Sequence, residues 1–178
     1  MYNFKVGDNM RLFTPNEYHK TIHDIDLVKL YDLGKRLILT DLDNTLVGYD
    51  ILLPTSEIIA FKEKCEEVGL KLVIISNNKE KRVQLFSEKL GVDYVFSAMK
   101  PLKRGYRKIA SDYTPNEIVI IGDQILTDIF GGNRMGYYTI LVDVINYNNE
   151  QFKTKLNRFF ERIILKKLKL KGEKNDTK

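Results

Sequence analysis

Short apolar runs recur along the chain, and longer segments with helical periodicity separate them. Four runs rich in β-branched residues span 36–40, 71–76, 117–122 and 137–142, and a weaker fifth spans 93–98. Continuous apolar runs of this length are typical of strands that are buried on both faces of a sheet. The pattern therefore predicts five strands in the core of one sheet.

Two of the intervening segments have the periodicity of amphipathic helices with defined ends. The apolar residues of 56–69 and 79–91 recur at helical spacing, and each segment ends at a glycine, Gly69 or Gly91. A glycine directly after the last periodic residue is typical of a helix C-terminal cap. Both segments are therefore predicted to be helices.

Two further segments, 103–113 and 21–34, also favour helices, the second leading into the first strand. Strands that alternate with helices indicate a parallel sheet with helices on both faces. The predicted fold class is α/β, with a three-layer, doubly wound parallel sheet.

Length and composition predict one domain that folds without disulfides. The chain has 178 residues, of which 43% are hydrophobic, and Cys65 is its only cysteine. A chain of this size can bury a substantial core. The first residues lack a basic segment followed by an apolar one, and no run approaches the roughly 20 apolar residues of a membrane-spanning helix. We therefore expect a cytoplasmic protein.

Charge is distributed unevenly between the body of the chain and its end. Residues 151–178 hold ten Lys/Arg and three Asp/Glu, whereas residues 1–150 hold 19 basic and 21 acidic residues. A basic end on a nearly neutral body suggests an anionic partner. The predicted organisation is an α/β domain with an N-terminal extension over 1–150, a basic amphipathic helix of the same domain over 151–171 and a disordered tail over 172–178.

Polar side chains that are suited to catalysis or ligand binding follow the predicted strands. In an open parallel sheet, ligands bind beyond the carboxyl ends of the strands, so these side chains should meet at one edge. Carboxylates suit Mg²⁺, which shares its coordination shell with substrate phosphate, while amide, hydroxyl and ammonium groups can hold phosphoryl oxygens. The candidates are Asp41, Asp43, Thr45, Ser76, Asn77, Lys100, Asp123 and Asp128.

These residues stand in four motifs, DLDNT at 41–45, SNN at 76–78, KP at 100–101 and GDQILTD at 122–128. Together and in this order, the motifs resemble those of the haloacid dehalogenase-like (HAD) phosphotransferases. The finer resemblance is to the YqeG-type branch of subfamily III, which is similar to the mitochondrial phosphatidylglycerophosphate phosphatases.

The resemblance implies a catalytic role for the first motif. Asp41 would attack phosphorus and form an aspartyl-phosphate, and Asp43 would protonate the leaving oxygen and then activate water. Asp41, the backbone carbonyl of Asp43 and Asp123 would hold Mg²⁺. An aspartate two places after the nucleophile implies a phosphatase rather than a dehalogenase.

The other motifs would handle the phosphoryl group. By the same resemblance, Ser76, Asn77 and Lys100 would bind it, and Thr45 would secure the phosphate loop. Asp128 would orient Lys100 or a water on the metal.

Many members of this family close the site with a cap domain, and this chain has no room for one. About 30 residues separate Thr45 from Ser76 and about 23 separate Ser76 from Lys100, enough for one helix in each interval. We therefore expect an open site. Such a site suits a headgroup presented by a bilayer, or a phosphate on a protein or nucleic acid.

The basic residues near the end of the chain favour a substrate that a membrane presents to the open site. Residues 152–171 place apolar side chains mainly on one face and basic ones elsewhere. The first part of this helix favours packing on the sheet, and the last part favours peripheral contact with an anionic membrane. Nucleic acid ranks lower as a partner, because no binding motif accompanies the lysines.

Three functions remain open at this stage. The first is Mg²⁺-dependent hydrolysis of phosphatidylglycerophosphate, a step of phospholipid biosynthesis, at the cytosolic face of the membrane. The second is the same chemistry on a soluble nucleotide, a sugar phosphate or a phosphoprotein. The third is a phosphate- or nucleic-acid-binding module without turnover, although binding alone would not need the acid–base residue Asp43.

Overall fold

A single six-stranded parallel sheet forms the centre of the molecule. The structure, a computed structural model, describes residues 11–107, 109 and 111–145. The strands lie in the order β1-β6-β5-β2-β3-β4, and all neighbouring pairs are parallel. They are β1 (Glu17–His19), β2 (Leu37–Thr40), β3 (Lys71–Ile75), β4 (Asp93–Val95), β5 (Ile118–Gly122) and β6 (Tyr138–Val142).

Among the described residues, five α-helices and three other helical turns connect the strands. The α-helices are α1 (Leu27–Asp32), α2 (Ser56–Val68), α3 (Glu80–Leu90), α4 (Lys103–Arg107) and α5 (Phe130–Met135). The turns are 3₁₀ at Ile22–Asp24 and Pro115–Glu117, and π-helical at Ile125–Ile129. The caps predicted for α2 and α3 are present, because Gly69 and Gly91 have φ angles of 89° and 74°.

The helices cover both faces of the sheet, as the α/β prediction requires. On one face, Ile38 and Ile74 pack in a cluster with residues of α1, α2 and α3, such as Phe61 and Phe86. On the other face, the alternate strand residues pack around Tyr106 of α4. Because successive strand residues point to opposite faces, the continuous apolar runs supply both layers of core. The predicted three-layer doubly wound fold is confirmed.

The register of strand pairing aligns the carboxyl ends of the central strands. Thr40, the last residue of β2, pairs with Ile121 of β5 and with Ile74 of β3. The loops that leave these strands therefore begin at the same edge of the sheet. This edge is where the sequence places its polar motifs.

Three local predictions are wrong or incomplete. Among the described residues of the segment 103–113, those of α4 are helical, and Ser111–Tyr113 lie in a turn and a bend. The segment 21–34 divides into a 3₁₀ turn and α1, because the Asp26 side chain accepts a hydrogen bond from Lys29 N at 2.9 Å and starts a new helix. Strand β1 was not predicted.

No cap domain is inserted between Thr45 and Ser76 or between Ser76 and Lys100. All residues between Thr45 and Lys100 are described, and they contain only α2, α3, β3, β4 and their connections. The carboxyl edge of the sheet therefore carries no inserted domain in this part of the chain. Among the described helices, none has the length and apolar composition needed to cross a bilayer.

The predicted basic helix over 151–171 and the predicted tail over 172–178 lie outside the described residues.

Candidate active site

The sequence motifs converge at the carboxyl edge of the sheet. Asp41 directly follows β2, and its backbone N–H donates to the Ile121 carbonyl at 2.9 Å. Ser76 directly follows β3, and its N–H donates to the Val95 carbonyl at 2.9 Å. Backbone pairing thus continues one residue past these two strands and fixes the first residue of the first two motifs.

Three carboxylates form a compact buried cluster at this edge. One ligand oxygen from each of Asp41, Asp123 and Asp128 lies within 4.8 Å of the others. All three residues are buried. Gly122 makes room for the cluster, because a Cβ atom at that position would overlap the Asp128 carboxyl group.

Lys100 joins two of these carboxylates. Its Nζ donates to Asp41 Oδ1 at 2.8 Å and to Asp128 Oδ1 at 2.6 Å. Burial lowers the pKa of Lys100, but the charges of Asp128 and Asp41 outweigh it and raise the pKa above its usual value. The lysine is therefore held in its charged form.

The buried position of Asp41 makes its negative charge costly. Burial raises the pKa of this carboxyl to about 7, Lys100 opposes the rise, and Asp128 and Asp43 add to it. One lysine offsets only part of the charge of three carboxylates. Oxygen ligands in this arrangement have the chemistry of a site for a hard divalent cation.

Asp43 has different partners from Asp41. Its Oδ1 accepts hydrogen bonds from Arg82 Nε at 3.2 Å and from a terminal nitrogen of the same guanidinium at 3.0 Å. Its Oδ2 accepts from Asn78 Nδ2 at 2.9 Å. The side chain of Asp43 thus stands outside the three-carboxylate cluster, which leaves its backbone carbonyl as the group predicted to bind metal.

Arg82 is a site residue that sequence reasoning missed. It lies in the first turn of α3, where the helix dipole disfavours a positive charge. The sequence carries only a weak signal of its role, because the exposed Lys81 stands in the same turn. The partner could not be named without the fold, because Asp43 lies 39 positions earlier.

Each residue predicted to bind phosphate already has hydrogen-bond partners within the site. The Ser76 hydroxyl accepts a hydrogen bond from Asn78 N at 3.1 Å. The Asn77 side chain bonds both ways with the backbone of Lys100, at 2.6 and 3.0 Å, and so ties together the loops after β3 and β4. Thr45 Oγ1 donates to Asp123 Oδ1 at 3.2 Å. All the predicted residues therefore lie at one edge, with Thr45 beside the acidic cluster.

Asp128 is fixed from both sides. Beyond its bond with Lys100, its Oδ2 accepts from Gln124 N and from Thr127 Oγ1, each at 3.2 Å. The hydrogen bond from Lys100 to Asp128 supports the prediction, made from the sequence, that Asp128 orients Lys100.

Comparison with known proteins places this site in a family. The profile of the HAD-hydrolase-like family matches residues 97–168. A protein of Bacillus subtilis named "Probable phosphatase YqeG" is 43% identical over 164 residues, which cover 91% of this chain and 95% of that protein. The chain belongs to the haloacid dehalogenase-like hydrolases. It is a phosphatase of that family, and the resemblance seen in the motifs is confirmed.

Two other similarities are more distant. The phosphatidylglycerophosphate phosphatase 1 of Arabidopsis thaliana chloroplasts and mitochondria is 25% identical over 180 residues, covering 95% of this chain and 52% of that protein. The cobalt-bound deoxy-D-mannose-octulosonate 8-phosphate phosphatase of Haemophilus influenzae superposes with a TM-score of 0.51 at 11% identity, covering 66% of this chain and 71% of that one. The second similarity establishes the fold alone.

HAD phosphatases use a divalent metal, and the cluster of Asp41, Asp123 and Asp128 has the donor chemistry to bind one.

Proposed function

We propose that this phosphatase hydrolyses phosphatidylglycerophosphate to phosphatidylglycerol with the help of Mg²⁺. The observation that carries the proposal is the buried Asp41–Lys100–Asp128 array, set beside Asp123 at a sheet edge where no domain is inserted between Thr45 and Lys100. The array supports phosphoryl transfer to a carboxylate, and the open edge supports a substrate held in a membrane.

The first half of the proposed reaction transfers the phosphoryl group to the protein. A carboxylate oxygen of Asp41 forms a bond to phosphorus while the bond from phosphorus to the glycerol oxygen breaks. Asp43 donates a proton to that leaving oxygen, which gives the free hydroxyl of phosphatidylglycerol. Arg82 and Asn78 keep the Asp43 carboxyl in place for this transfer.

The second half returns the protein to its starting state. Asp43, now a carboxylate, takes a proton from a water molecule whose oxygen attacks phosphorus. The bond between phosphorus and Asp41 breaks, and inorganic phosphate leaves. Positioned acid–base help of this kind contributes about 10²- to 10⁴-fold to the rate.

Charge on the phosphoryl oxygens would be offset by several groups. Lys100 supplies a fixed positive charge, and Ser76, Asn77 and Thr45 supply polar groups around it. A Mg²⁺ ion held by Asp41, Asp123 and the Asp43 backbone carbonyl would polarise the phosphoryl group. Asp128 would keep Lys100 oriented, since it holds the ammonium at 2.6 Å.

The lipid substrate is proposed from two observations. The Arabidopsis relative is named for phosphatidylglycerophosphate, although this chain spans about half of its length. In addition, the interval between Thr45 and Lys100 provides no cap to enclose a small phosphate ester. A headgroup at a bilayer surface could reach such an edge without entering a closed cavity.

Phosphate release from phosphatidylglycerophosphate in mixed micelles tests the proposal. The assay is run with Mg²⁺ and with EDTA, beside a panel of soluble nucleotides, sugar phosphates and phosphopeptides, with Asp41→Asn as the inactive control. We expect fast, Mg²⁺-dependent release from the lipid and slow release from the panel. Activity on soluble esters alone would support the proposed hydrolysis but contradict the lipid substrate. A folded protein without any turnover would favour a phosphate-binding module.

A further inference from the structure

The two edges of the sheet differ in the apolar side chains that they expose. In the described part of the chain, the connections directly before the six strands expose Leu33, and Tyr31 in the last turn of α1 is exposed near the same edge. The loops that leave the strands, at the edge that carries the active site, expose six. We call these six residues the apolar rim: Ile51, Leu52, Leu53, Met99, Leu102 and Ile145.

The apolar rim is attached to the catalytic loops. Leu52 and its neighbours lie in the loop that begins with Asp41, and Met99 and Leu102 flank Lys100 and Pro101 in the loop after β4. The Ile145 N–H donates to the Asn44 carbonyl at 3.2 Å, so this residue is also tied to the first motif. Three separate loops thus bring apolar side chains to the edge of the sheet that carries the site.

Exposure of this kind is unusual for a surface that faces only water. Ile51, Leu52 and Leu53 are three consecutive exposed apolar residues, and Leu52 is 58% exposed. Met99 is 56% exposed and has a φ angle of 57°, a conformation that few side chains adopt. Clustered exposed apolar residues mark surfaces that contact a partner or a membrane.

Charged residues next to the apolar rim indicate which of these it contacts. Lys103 and Arg104 follow Leu102 at the start of α4, and Lys79 precedes α3 at the same edge; all three are exposed. The acids Asp50 and Glu57 flank the other apolar loop. Apolar side chains with adjacent Lys and Arg are typical of surfaces that bind the headgroup region of anionic bilayers.

We infer that the apolar rim inserts into the headgroup region of an anionic phospholipid bilayer and holds the open site against it. The inference rests on the proposed lipid substrate and adds how the protein reaches it. Leu52 and Leu102 would enter the interface from two sides of the site, with Lys103 and Arg104 facing anionic headgroups. The phosphate of a membrane lipid would then lie at the carboxyl edge of the sheet.

Binding to vesicles tests the inference with no phosphatidylglycerophosphate present, so that it can fail independently of the proposed function. Full-length protein is sedimented with vesicles of phosphatidylcholine and phosphatidylglycerol in equal parts, and with phosphatidylcholine alone. The double variant Leu52→Gln/Leu102→Gln is compared with Leu33→Gln. Leu33 and Leu102 are a matched pair, because each is 51% exposed and they lie at opposite edges of the sheet.

We expect wild-type protein and Leu33→Gln to bind the anionic vesicles equally. The rim variant should bind about tenfold more weakly, since binding strength scales with the apolar area that enters the interface. Equal vesicle binding by the rim variant and the control would overturn the inference. So would a wild-type oligomer that the rim substitutions dissociate without changing vesicle binding, because the surface would then join copies of this chain.

A lipid-phosphatase assay on the same proteins separates the two failures. If vesicle binding depends on the apolar rim but no phosphate is released from phosphatidylglycerophosphate, the proposed substrate is wrong and the rim remains the membrane contact. If the rim variant hydrolyses the lipid at the wild-type rate, the apolar rim is not the membrane contact, whereas phosphatidylglycerophosphate stays the substrate. Circular dichroism and thermal unfolding of both variants establish that the fold is intact.

Discussion

Asp41 and Asp43 stand two residues apart and have entirely different surroundings. Asp41 is bound by Lys100 and lies in the cluster with Asp123 and Asp128. Asp43 is held by Arg82 and Asn78 on another side. The two carboxyl groups at the end of one strand do not compete for one cationic side chain, because each has its own positively charged partner. The same separation suits two carboxyls with different proposed tasks, one attacking phosphorus and one moving protons.

Arg82 is expected to position Asp43 for proton transfer. Replacing Arg82 with Ala removes two hydrogen bonds to Asp43 Oδ1, and we expect kcat to fall about ten- to a hundredfold with a small change in KM. Arg82→Lys should recover part of the loss, because a lysine keeps the charge but cannot reproduce the paired contact. Steady-state kinetics on a soluble phosphate ester measure both effects.

The choice of leaving group distinguishes positioning from general damage. The loss in Arg82→Ala should be larger with glycerol phosphate than with p-nitrophenyl phosphate, whose leaving group needs less protonation. Lys81→Ala, an exposed neighbour on α3, is the control. An equal loss on both esters, or a loss in the control, would contradict the assigned role.

The acidic cluster predicts that a divalent cation stabilises the fold. We expect Mg²⁺ to raise the melting temperature of the wild-type protein by roughly 2–4 °C for each kcal/mol of binding free energy. Asp123→Asn should lose most of this rise. Without the cation the variant should be at least as stable as the wild type, because it removes one of three clustered charges. Differential scanning fluorimetry over a range of Mg²⁺ concentrations measures this.

The exposed Asp112→Asn is the control for loss of a carboxylate. A cation-dependent rise in Asp123→Asn as large as in the wild type would show that Asp123 is not a ligand.

Sequence predicted which residues meet at the site but not how they pair. Asp41, Ser76, Lys100 and Asp123 follow strand ends, and the geometry of a parallel sheet requires such positions to converge. The contacts of Asp43 with Arg82 depend on how α3 packs over the edge. That packing is set by buried residues distributed through the core, so no local pattern reveals it.

At the scale of elements, edge strand β1 is held by a small polar cluster. Glu17 Oε1 accepts hydrogen bonds from Lys29 Nζ of α1 at 2.6 Å and from the Tyr138 hydroxyl of β6 at 2.8 Å, and Glu17 Oε2 pairs with His19. Burial raises the pKa of Glu17, but these bonds outweigh it and lower the pKa from 4.5 to about 2. One carboxylate therefore connects three elements.

This cluster predicts a pH dependence of stability. A carboxyl whose pKa is lowered by folding stabilises the protein above its unfolded pKa of 4.5, and that contribution is lost as the pH falls through about 2. We expect Glu17→Gln to lower the free energy of unfolding by on the order of 1–3 kcal/mol near neutral pH. The difference from the wild type should shrink as the pH falls below 4.5. Urea denaturation at several pH values measures it.

Glu67→Gln, at an exposed position of α2, is the matched control for removing one carboxylate. If the difference in free energy of unfolding between Glu17→Gln and the wild type does not change as the pH falls below 4.5, the assigned role of Glu17 is wrong.

Elements with strong local signals were predictable, and those that depend on neighbours were not. Strands β2, β3, β5 and β6 lie in apolar runs, and α2 and α3 end at glycines whose left-handed conformation the pattern anticipates. Strand β1 has only three residues, with no apolar run, and it exists through its pairing with β6. Its short polar sequence resembles that of a loop.

For the whole molecule, the decisive feature is the contrast between its two edges. One edge carries all the predicted catalytic residues, no cap inserted between Thr45 and Lys100, and six exposed apolar side chains, whereas the other exposes Leu33 and Tyr31 among the described residues. The fold alone is shared with phosphatases that act on other esters. The surroundings of the site are therefore the basis for proposing a membrane lipid as substrate.

The most direct test of this account is to find the phosphoryl group on the protein during turnover. Protein reacting with phosphatidylglycerophosphate in mixed micelles with Mg²⁺ is quenched in acid, and the peptides are mapped by mass spectrometry. The account predicts one phosphoryl group on Asp41, absent with EDTA and absent in Asp41→Asn. Release of phosphate from the lipid with the phosphoryl group on another residue, or labelling of Asp41 by soluble esters but never by the lipid, would contradict it.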